Sequence, residues 1–155
     1  MSLRRETGNL LDAKTDAVLV AVDGDHPRLV GAVAHQLENR IDDDREWDRI
    51  IREAKYPLGA GEPRVVSLEE VPEVEFKFVI FVNFYNHHNS RLYLDSGYYN
   101  ALAYAHNWRI RSVATALYKG GWRGTEEQAM AALNRACAKV PTVDVVLYER
   151  PARAR

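Results

Sequence analysis

The chain has 155 residues, of which 46% are apolar and 28% charged, and its formal net charge is −1. This length suits one self-sufficient core, so we expect residues 1–155 to form a single domain. The near-neutral charge gives no reason to expect nucleic acid or an anionic membrane as a partner. No signal-peptide core or membrane-length apolar run is present, and the single Cys137 cannot form an internal disulfide. We therefore predict a cytoplasmic protein whose oligomeric state the sequence does not indicate.

Strand-like and helix-like segments alternate along the chain. Apolar runs predict five strands, over residues 16–22, 64–68, 76–82, 111–117 and 143–148. Apolar residues at helical spacing predict four helices, over residues 29–37, 47–54, 94–105 and 125–136. The first run is apolar at nearly every position, which is typical of a strand buried on both faces. This alternation predicts an α/β domain with helices on both faces of a largely parallel sheet.

The segment 112–124 is the most informative part of the sequence. A strand-like run stops at three glycines within five residues, with Trp122 among them, and Thr125 then opens the last helix as the first residue of a capping box. Glycine lets the backbone approach a ligand closely, and the free N–H groups of a helix N-terminus attract anions. The loop therefore predicts a phosphate cradle, although a purely steric β–α turn has the same pattern.

Two loops that follow predicted strands are expected at the same edge of the sheet. In open α/β sheets, ligands bind outside the carboxyl ends of the strands. Residues 23–28 follow the first buried strand, and residues 118–124 follow the fourth. We expect these two loops to flank one cleft.

A family resemblance covers almost the whole chain. It is carried, in order, by Gly8-Asn9-Leu10, Asp16-Ala-Val-Leu-Val-Ala-Val-Asp23, Leu29-Val-Gly-Ala-Val33, Pro57-Leu-Gly59 with Gly61-Glu62, Phe78-Val-Ile-Phe81, Tyr99-Asn-Ala-Leu102, Arg111-Ser-Val-Ala114 and Ala116-Leu-Tyr-Lys-Gly-Gly-Trp122. In this order the segments resemble the macrodomain family, the ADP-ribose-binding, Appr-1″-p processing type.

The resemblance implies a fold, a ligand and the residues that bind it. It implies a three-layer α/β/α fold with a mixed, largely parallel central sheet. It also implies a domain that binds ADP-ribose or a related nucleotide. Many members of the family remove ADP-ribose from proteins or hydrolyse its esters. No cofactor is implied. By position, Asn9 would face the adenine, Gly31 would lie beside the first phosphate loop, Gly120 and Gly121 would cradle phosphate, and Trp122 would pack on the ligand.

The chain departs from the family pattern in its first phosphate loop. Asp23 stands where the family has asparagine, and His26-Pro27-Arg28 replaces a glycine triplet. An ionised Asp23 only accepts hydrogen bonds, so it suits a ribose diol and repels a diphosphate. Arg28 and Lys119 are cations that would offset this by pairing with phosphate. The ligand then differs from ADP-ribose, or the site is vestigial.

Three functions remain open at this stage. The first is binding of a nucleotide-type ligand, and the second is ADP-ribosyl hydrolysis in which Asp23 is catalytic and orients a water molecule. The third is a ligand-free interaction scaffold that presents aromatic residues, namely Trp108, Tyr98, Tyr99 and Trp122. A cleft filled by the side chains at 26–28 would favour the scaffold.

The segment Asn86-His87-His88-Asn89 invites a metal hypothesis, because imidazole is a common zinc ligand. Adjacent histidines rarely reach one ion, and no matching Cys or His pair accompanies them. We predict no metal site. The resemblance instead puts this loop beside the distal part of the ligand cleft, where His87 or His88 would contact a ligand.

Overall fold

The computed structural model describes residues 3–24, 26, 28–54, 57–118 and 125–149. Within these ranges the elements follow in the order β1 Leu3–Thr7, β2 Ala17–Ala21, α1 Ala32–Ile41, α2 Asp44–Ala54, β3 Pro63–Ser67, β4 Phe78–Val82, β5 Tyr85–Asn86, β6 Arg91–Leu92, α3 Leu94–Asn107, β7 Ser112–Thr115, α4 Glu126–Lys139 and β8 Asp144–Glu149. A 3₁₀ turn, Leu10–Asp12, lies between β1 and β2.

The described strands form one six-stranded sheet and one small hairpin. The sheet has the order β1-β8-β7-β2-β4-β3, and the hairpin pairs β5 with β6. Neighbouring strands of the sheet are parallel except β3, which is antiparallel to β4. The carboxyl ends of β1, β8, β7, β2 and β4 therefore meet at one edge of the sheet.

Two hydrophobic cores cover the two faces of the sheet. Val18 and Val20 of β2 pack into the core that contains the buried residues of α1 and α2. Leu19, between them, packs into the other core, with the buried residues of α3 and α4. This alternation confirms a strand buried on both faces, and the layers are helix, sheet, helix, as predicted. No helix in the described ranges is long and apolar enough to cross a membrane.

The structure also differs from the prediction at two elements near the start of the chain. We predicted no strand at β1, because three of its five residues are charged and they form no apolar pattern; in the structure four of the five are exposed. It is an edge strand, and edge strands tolerate such side chains. Helix α1 begins at Ala32 rather than near residue 29, because the Val30 carbonyl accepts a hydrogen bond from the Asp23 N–H at 2.8 Å.

Local sequence signals at α4 are confirmed. Thr125 Oγ1 accepts from the Gln128 N–H at 3.1 Å, and Gln128 Oε1 accepts from the Thr125 N–H at 3.0 Å, which completes the predicted capping box. Cys137 is a buried residue of the same helix, and burial raises the pKa of its thiol. A raised pKa leaves this thiol protonated and unreactive at neutral pH.

We predict that Gly97→Ala destabilises the fold although alanine favours helices. A Cβ at Gly97 would lie 2.4 Å from Phe84 Cε1, so α3 could not keep its present distance from that ring. We expect a loss of about 1–3 kcal/mol in the free energy of unfolding. Chemical denaturation measures this, with the exposed neighbour Ser96→Ala as the matched control, expected within about 0.5 kcal/mol of wild type. Equal stability of both variants would contradict the packing described.

Candidate functional site

A cleft of about 1000 Å³ opens at the carboxyl edge of the sheet. All five parallel strands contribute to its lining, at or near Arg5, Leu147, Ala116, Ala21 and Asn83. We call this space the carboxyl-edge cleft. Its position is the one at which open α/β sheets bind ligands.

The cleft is long and has two different polar ends. Adjacent strands lie about 4.8 Å apart, so five strands span about 19 Å. At the β1 end, Arg5 Nη1 lies 3.5 Å from Glu149 Oε1. At the β4 end, His87 Nε2 lies 3.3 Å from Asp23 Oδ1. An extended ligand would therefore meet a different set of charged groups at each end.

The N-terminus of α1 lies in the wall of the cleft. Gly31, Ala32 and Val33 line it. The N-cap residue Gly31 makes no side-chain cap hydrogen bond, no other described side chain provides a cap, and the first turn holds no acidic residue. The first N–H groups of a helix have no partner within the helix, and they carry a partial positive charge. This part of the wall is therefore suited to an anion.

Gly31 is required by the close packing of this wall. A Cβ at Gly31 would lie 2.6 Å from the carbonyl oxygen of Ala21. The chain returns to β2 here, where the Asp23 N–H donates to the Val30 carbonyl. The sequence has a glycine where the backbone touches β2, whereas residues 26–28, earlier in the loop, are His, Pro and Arg.

Phe84 and Tyr118 line the cleft near the β4 end, and the ring of Tyr98 packs behind Phe84. The ring centroid of Phe84 lies 4.8 Å from that of Tyr98 and 4.9 Å from that of Tyr118. Tyr98 is fully buried, and its hydroxyl oxygen accepts a hydrogen bond from the Tyr118 N–H at 3.0 Å. Burial raises the pKa of Tyr98 to about 12, and burial with the nearby Asp23 carboxylate raises the pKa of Tyr118. Both hydroxyls are neutral at physiological pH.

Asn83 is a buried polar residue that joins the cleft to the loop before β3. Its Nδ2 donates to the Leu58 carbonyl at 3.0 Å, and its Oδ1 accepts from the Tyr85 N–H at 3.1 Å. Its own carbonyl accepts from the Gly61 N–H at 2.6 Å. These bonds fix the chain where β4 ends and the cleft begins.

Asp23 and Gly31 both line the cleft, and their contact with a ligand stays a prediction. Two other predicted residues have different surroundings. Asn9 Oδ1 accepts from the Leu11 N–H at 2.9 Å and so caps the 3₁₀ turn. Arg28 lies outside the main cleft, in a smaller pocket behind the α1 N-terminus, with its Nη2 3.7 Å from Asp48 Oδ1. Contacts of Asn9 and Arg28 with a ligand stay predictions.

Four further predicted residues lie outside the described part of the chain. They are Lys119, Gly120, Gly121 and Trp122. The helix that follows them begins at Glu126, which lines the cleft. Among the described residues, no group of three or more His, Cys, Asp or Glu side chains is arranged to hold a metal ion.

Sequence reasoning missed Asn83, Tyr85 and Tyr118. Each follows a strand within three residues, at the carboxyl edge where the ligand rule already pointed. A polar or aromatic residue directly after an apolar strand is the signal that could have found them. Tyr98 was considered as part of a partner surface, but its full burial removes it from any such surface.

Solved structures of macrodomains match this architecture. The macrodomain of Mycobacterium tuberculosis DarG is 23% identical, with a TM-score of 0.74, and the match covers 97% of this chain and 98% of that one. The Oceanobacillus iheyensis macrodomain with ADP is 17% identical, with a TM-score of 0.76 and coverages of 97% and 84%. The Trypanosoma brucei macrodomain in complex with ADP-ribose is 13% identical, with a TM-score of 0.69 and coverages of 96% and 63%.

This likeness establishes the class of fold: the chain has the macrodomain fold, which confirms the fold that the sequence predicted. No protein-family model matches the sequence, and no curated protein matches it.

We predict that Asn83→Ala lowers stability by about 2–3 kcal/mol, because it leaves the buried Leu58 carbonyl and Tyr85 N–H without their present partner. Denaturation in urea measures the change. Asn107→Ala, at the exposed end of α3, is the control and should change stability by less than about 0.5 kcal/mol. A loss at Asn83 no larger than at Asn107 would rule out the structural role of this amide.

We predict that alkaline pH destabilises the protein through Tyr98. Its pKa is raised from 10.0 to about 12 in the folded state, so the unfolded chain releases this proton first. Stability is therefore complete below pH 10 and falls as pH rises towards about 12. Urea denaturation across this range should show a smaller decline for Tyr98→Phe than for wild type. An equal decline in the stability of Tyr98→Phe and of wild type would contradict a buried Tyr98 hydroxyl.

Proposed function

We propose that the carboxyl-edge cleft binds ADP-ribose or a related nucleotide-type ligand. The observation that carries the proposal is the N-terminus of α1, which has no side-chain cap among the described residues, in the wall of a long cleft between two polar ends. A nucleoside diphosphate sugar has the same order of parts, with charge in the middle and hydroxyl-rich groups outside it.

The diphosphate would lie against Ala32 and Val33. Their N–H groups are at the positive end of the helix, and Gly31 lets the backbone approach β2 closely. This arrangement does not require the glycine triplet of other macrodomains, because the donors belong to the helix itself. Arg28 lies just behind this segment, and Lys119, Gly120 and Gly121 follow β7, so we propose them as further phosphate contacts.

The two ends would hold the sugars and the base. Among the described lining residues, the carboxylates of Asp23, Glu126 and Glu149 outnumber the single guanidinium of Arg5. Carboxylates only accept hydrogen bonds, so they suit ribose hydroxyls and an exocyclic amino group rather than phosphate. We assign the distal ribose to the Asp23 end. We propose that Asn9 contacts the adenine and that Trp122 packs on the surface of the ligand.

Two macrodomain structures named above contain ADP or ADP-ribose, which supports this ligand class. The alternative of a ligand-free scaffold required a cleft filled by the side chains at 26–28. His26 and Arg28 are exposed and do not line the cleft, and Pro27 lies outside the described residues. The two described side chains of this segment thus leave the cleft open, which favours a ligand over a scaffold.

Hydrolysis of an ADP-ribosyl bond is the second candidate function, of which Appr-1″-p processing is one form. The observation in its favour is that Asp23 reaches the cleft beside a histidine, which is a group able to transfer a proton. Asp23 would orient the attacking water.

Ala32→Asp tests the binding proposal with little risk to the fold. A carboxylate in the first turn stabilises a helix, yet here it would repel a diphosphate. Two like charges at roughly 5 Å interact by about 3 kcal/mol at a protein surface. We expect Ala32→Asp to weaken ADP-ribose binding at least tenfold by calorimetry.

The matched control is Ala32→Asn, which has the same size without the charge and should bind within about threefold of wild type. Equal binding by both variants would place the diphosphate elsewhere. A wild-type protein that binds no nucleotide would refute the proposal itself.

A further inference from the structure

The first strand of the chain has a free edge. β1 lies at the end of the six-stranded sheet and pairs on one side only, with β8. The Gly8 N–H donates to the Glu149 carbonyl at 2.9 Å, so the even-numbered residues of β1 direct their backbone groups towards β8. The N–H and C=O groups of Leu3, Arg5 and Thr7 therefore point away from the sheet. No hydrogen bond from any other described residue reaches these groups.

The opposite edge of the sheet, at β3, is protected. β3 begins at Pro63, which has no N–H to offer a further strand. Arg64 Nη1 donates to the Pro63 carbonyl at 3.1 Å, and Arg49 Nη2 donates to the Ser67 carbonyl at 3.2 Å. A proline and bound side chains are common ways of keeping an edge strand from pairing with another chain. β1 contains no proline, and its outward groups stay available for a further strand.

The side chains of β1 select which strand that is. Arg4 and Glu6 are exposed, lie on the same face of the strand, and have no ion-pair partner among the described residues. A charged edge strand usually repels other strands. Here the two charges have opposite signs on either side of Arg5, so the strand is complementary to an antiparallel copy of itself.

An antiparallel pair centred on Arg5 satisfies both the backbone and the charges. Arg5 faces Arg5 of the second copy, and Leu3 faces Thr7, so every outward N–H and C=O group of the two strands has a partner. Arg4 and Glu6 of opposite copies then lie at the non-hydrogen-bonded positions, where Cα atoms are about 4.5 Å apart and side chains meet most closely. Two-fold symmetry forms this contact twice.

The neighbouring registers lack this match. An antiparallel pair centred on Arg4 would place Arg4 opposite Arg4, and a pair centred on Glu6 would place Glu6 opposite Glu6. Like charges directly opposite each other are destabilising, and both shifts leave outward backbone groups unpaired. The sequence of β1 therefore specifies one register of self-pairing.

The two Arg5 side chains at the centre do not oppose this pairing. Each guanidinium is bound within its own copy, with Nη1 3.5 Å from Glu149 Oε1 and Nη2 donating to Met130 Sδ at 3.8 Å. Glu149 is at the end of β8 and Met130 is in α4, so these contacts draw Arg5 back over its own sheet and away from the two-fold axis. The Glu149 carboxylate also balances its charge.

We propose that β1 is the interface of a homodimer, in which two copies pair their β1 strands antiparallel about Arg5 and join their six-stranded sheets into one. The occupant of the free edge is a second copy of this chain. β1 runs parallel to the strands whose carboxyl ends form the cleft, so the two clefts open at opposite edges of the joined sheet. The dimer therefore forms whether or not a ligand is bound.

Charge reversal at β1 tests the proposal by sedimentation velocity. One pair of short strands makes a small interface, so we expect wild type to pass from monomer to dimer between about 10 µM and 1 mM. Arg4→Glu and Glu6→Arg each place like charges opposite each other and should weaken the dimer at least about tenfold. An equimolar mixture of these two variants restores opposite charges and should dimerise as wild type does.

Two further variants separate the interface from general effects. Arg45→Glu makes the same charge change at an exposed position on α2 and should leave dimerisation within about twofold of wild type. Thr7→Pro removes an outward N–H while the bonds to β8 remain, so it should also weaken the dimer. Thermal denaturation establishes that every variant is folded.

The results that would overturn the proposal are distinct. A wild type that stays monomeric up to about 1 mM would leave the edge of β1 to another chain. A dimer that both charge reversals leave unchanged would place the interface elsewhere. A mixture of the two variants that stays monomeric would exclude the register centred on Arg5. Calorimetry with ADP-ribose is a separate measurement, so none of these results decides the binding proposal.

Discussion

The site depends on the close return of the chain to the end of β2. The Asp23 N–H binds the Val30 carbonyl, and Gly31 then passes so near Ala21 that a Cβ would lie 2.6 Å from its carbonyl oxygen. This return sets the first turn of α1 at the carboxyl edge of the sheet, with its N–H groups in the cleft wall. A helix with a different start would present neither its donors nor its positive end to that space.

Around this point the cleft divides its chemistry by position. In the proposed binding mode the backbone N–H groups in the middle attract the anion, so the side chains at the ends would be left to contact hydroxyl groups. Asn83 is buried, and its side-chain nitrogen and oxygen each make a hydrogen bond, so it connects the core to Tyr85 and through Tyr85 to His87. Asp23 and residues 26–28, where the resemblance implies asparagine and glycines, are therefore compatible with a formed cleft, and Asp23 adds a carboxylate to its lining.

The fold was predictable from the sequence because apolar periodicity records which faces of each element are buried. β2 is the clearest case, with alternate residues in two different cores. The site was predictable only in part. Asp23 and Gly31 are adjacent in sequence to a predicted strand end, whereas the approach of His87 to Asp23 joins residues 64 positions apart and follows from the β2 and β4 pairing together with the hairpin. β1 left no apolar signal because its side chains are mostly exposed.

The amide spectrum of the protein during titration with ADP-ribose tests the central claim most directly. If the diphosphate binds at the start of α1, the N–H resonances of Ala32 and Val33 should shift most among the described residues, with saturation at the stoichiometry of one ligand per chain. Shifts that are confined to other surfaces, such as the one around Asp95 and Arg135 on α3 and α4, would contradict the account, as would a spectrum that does not change.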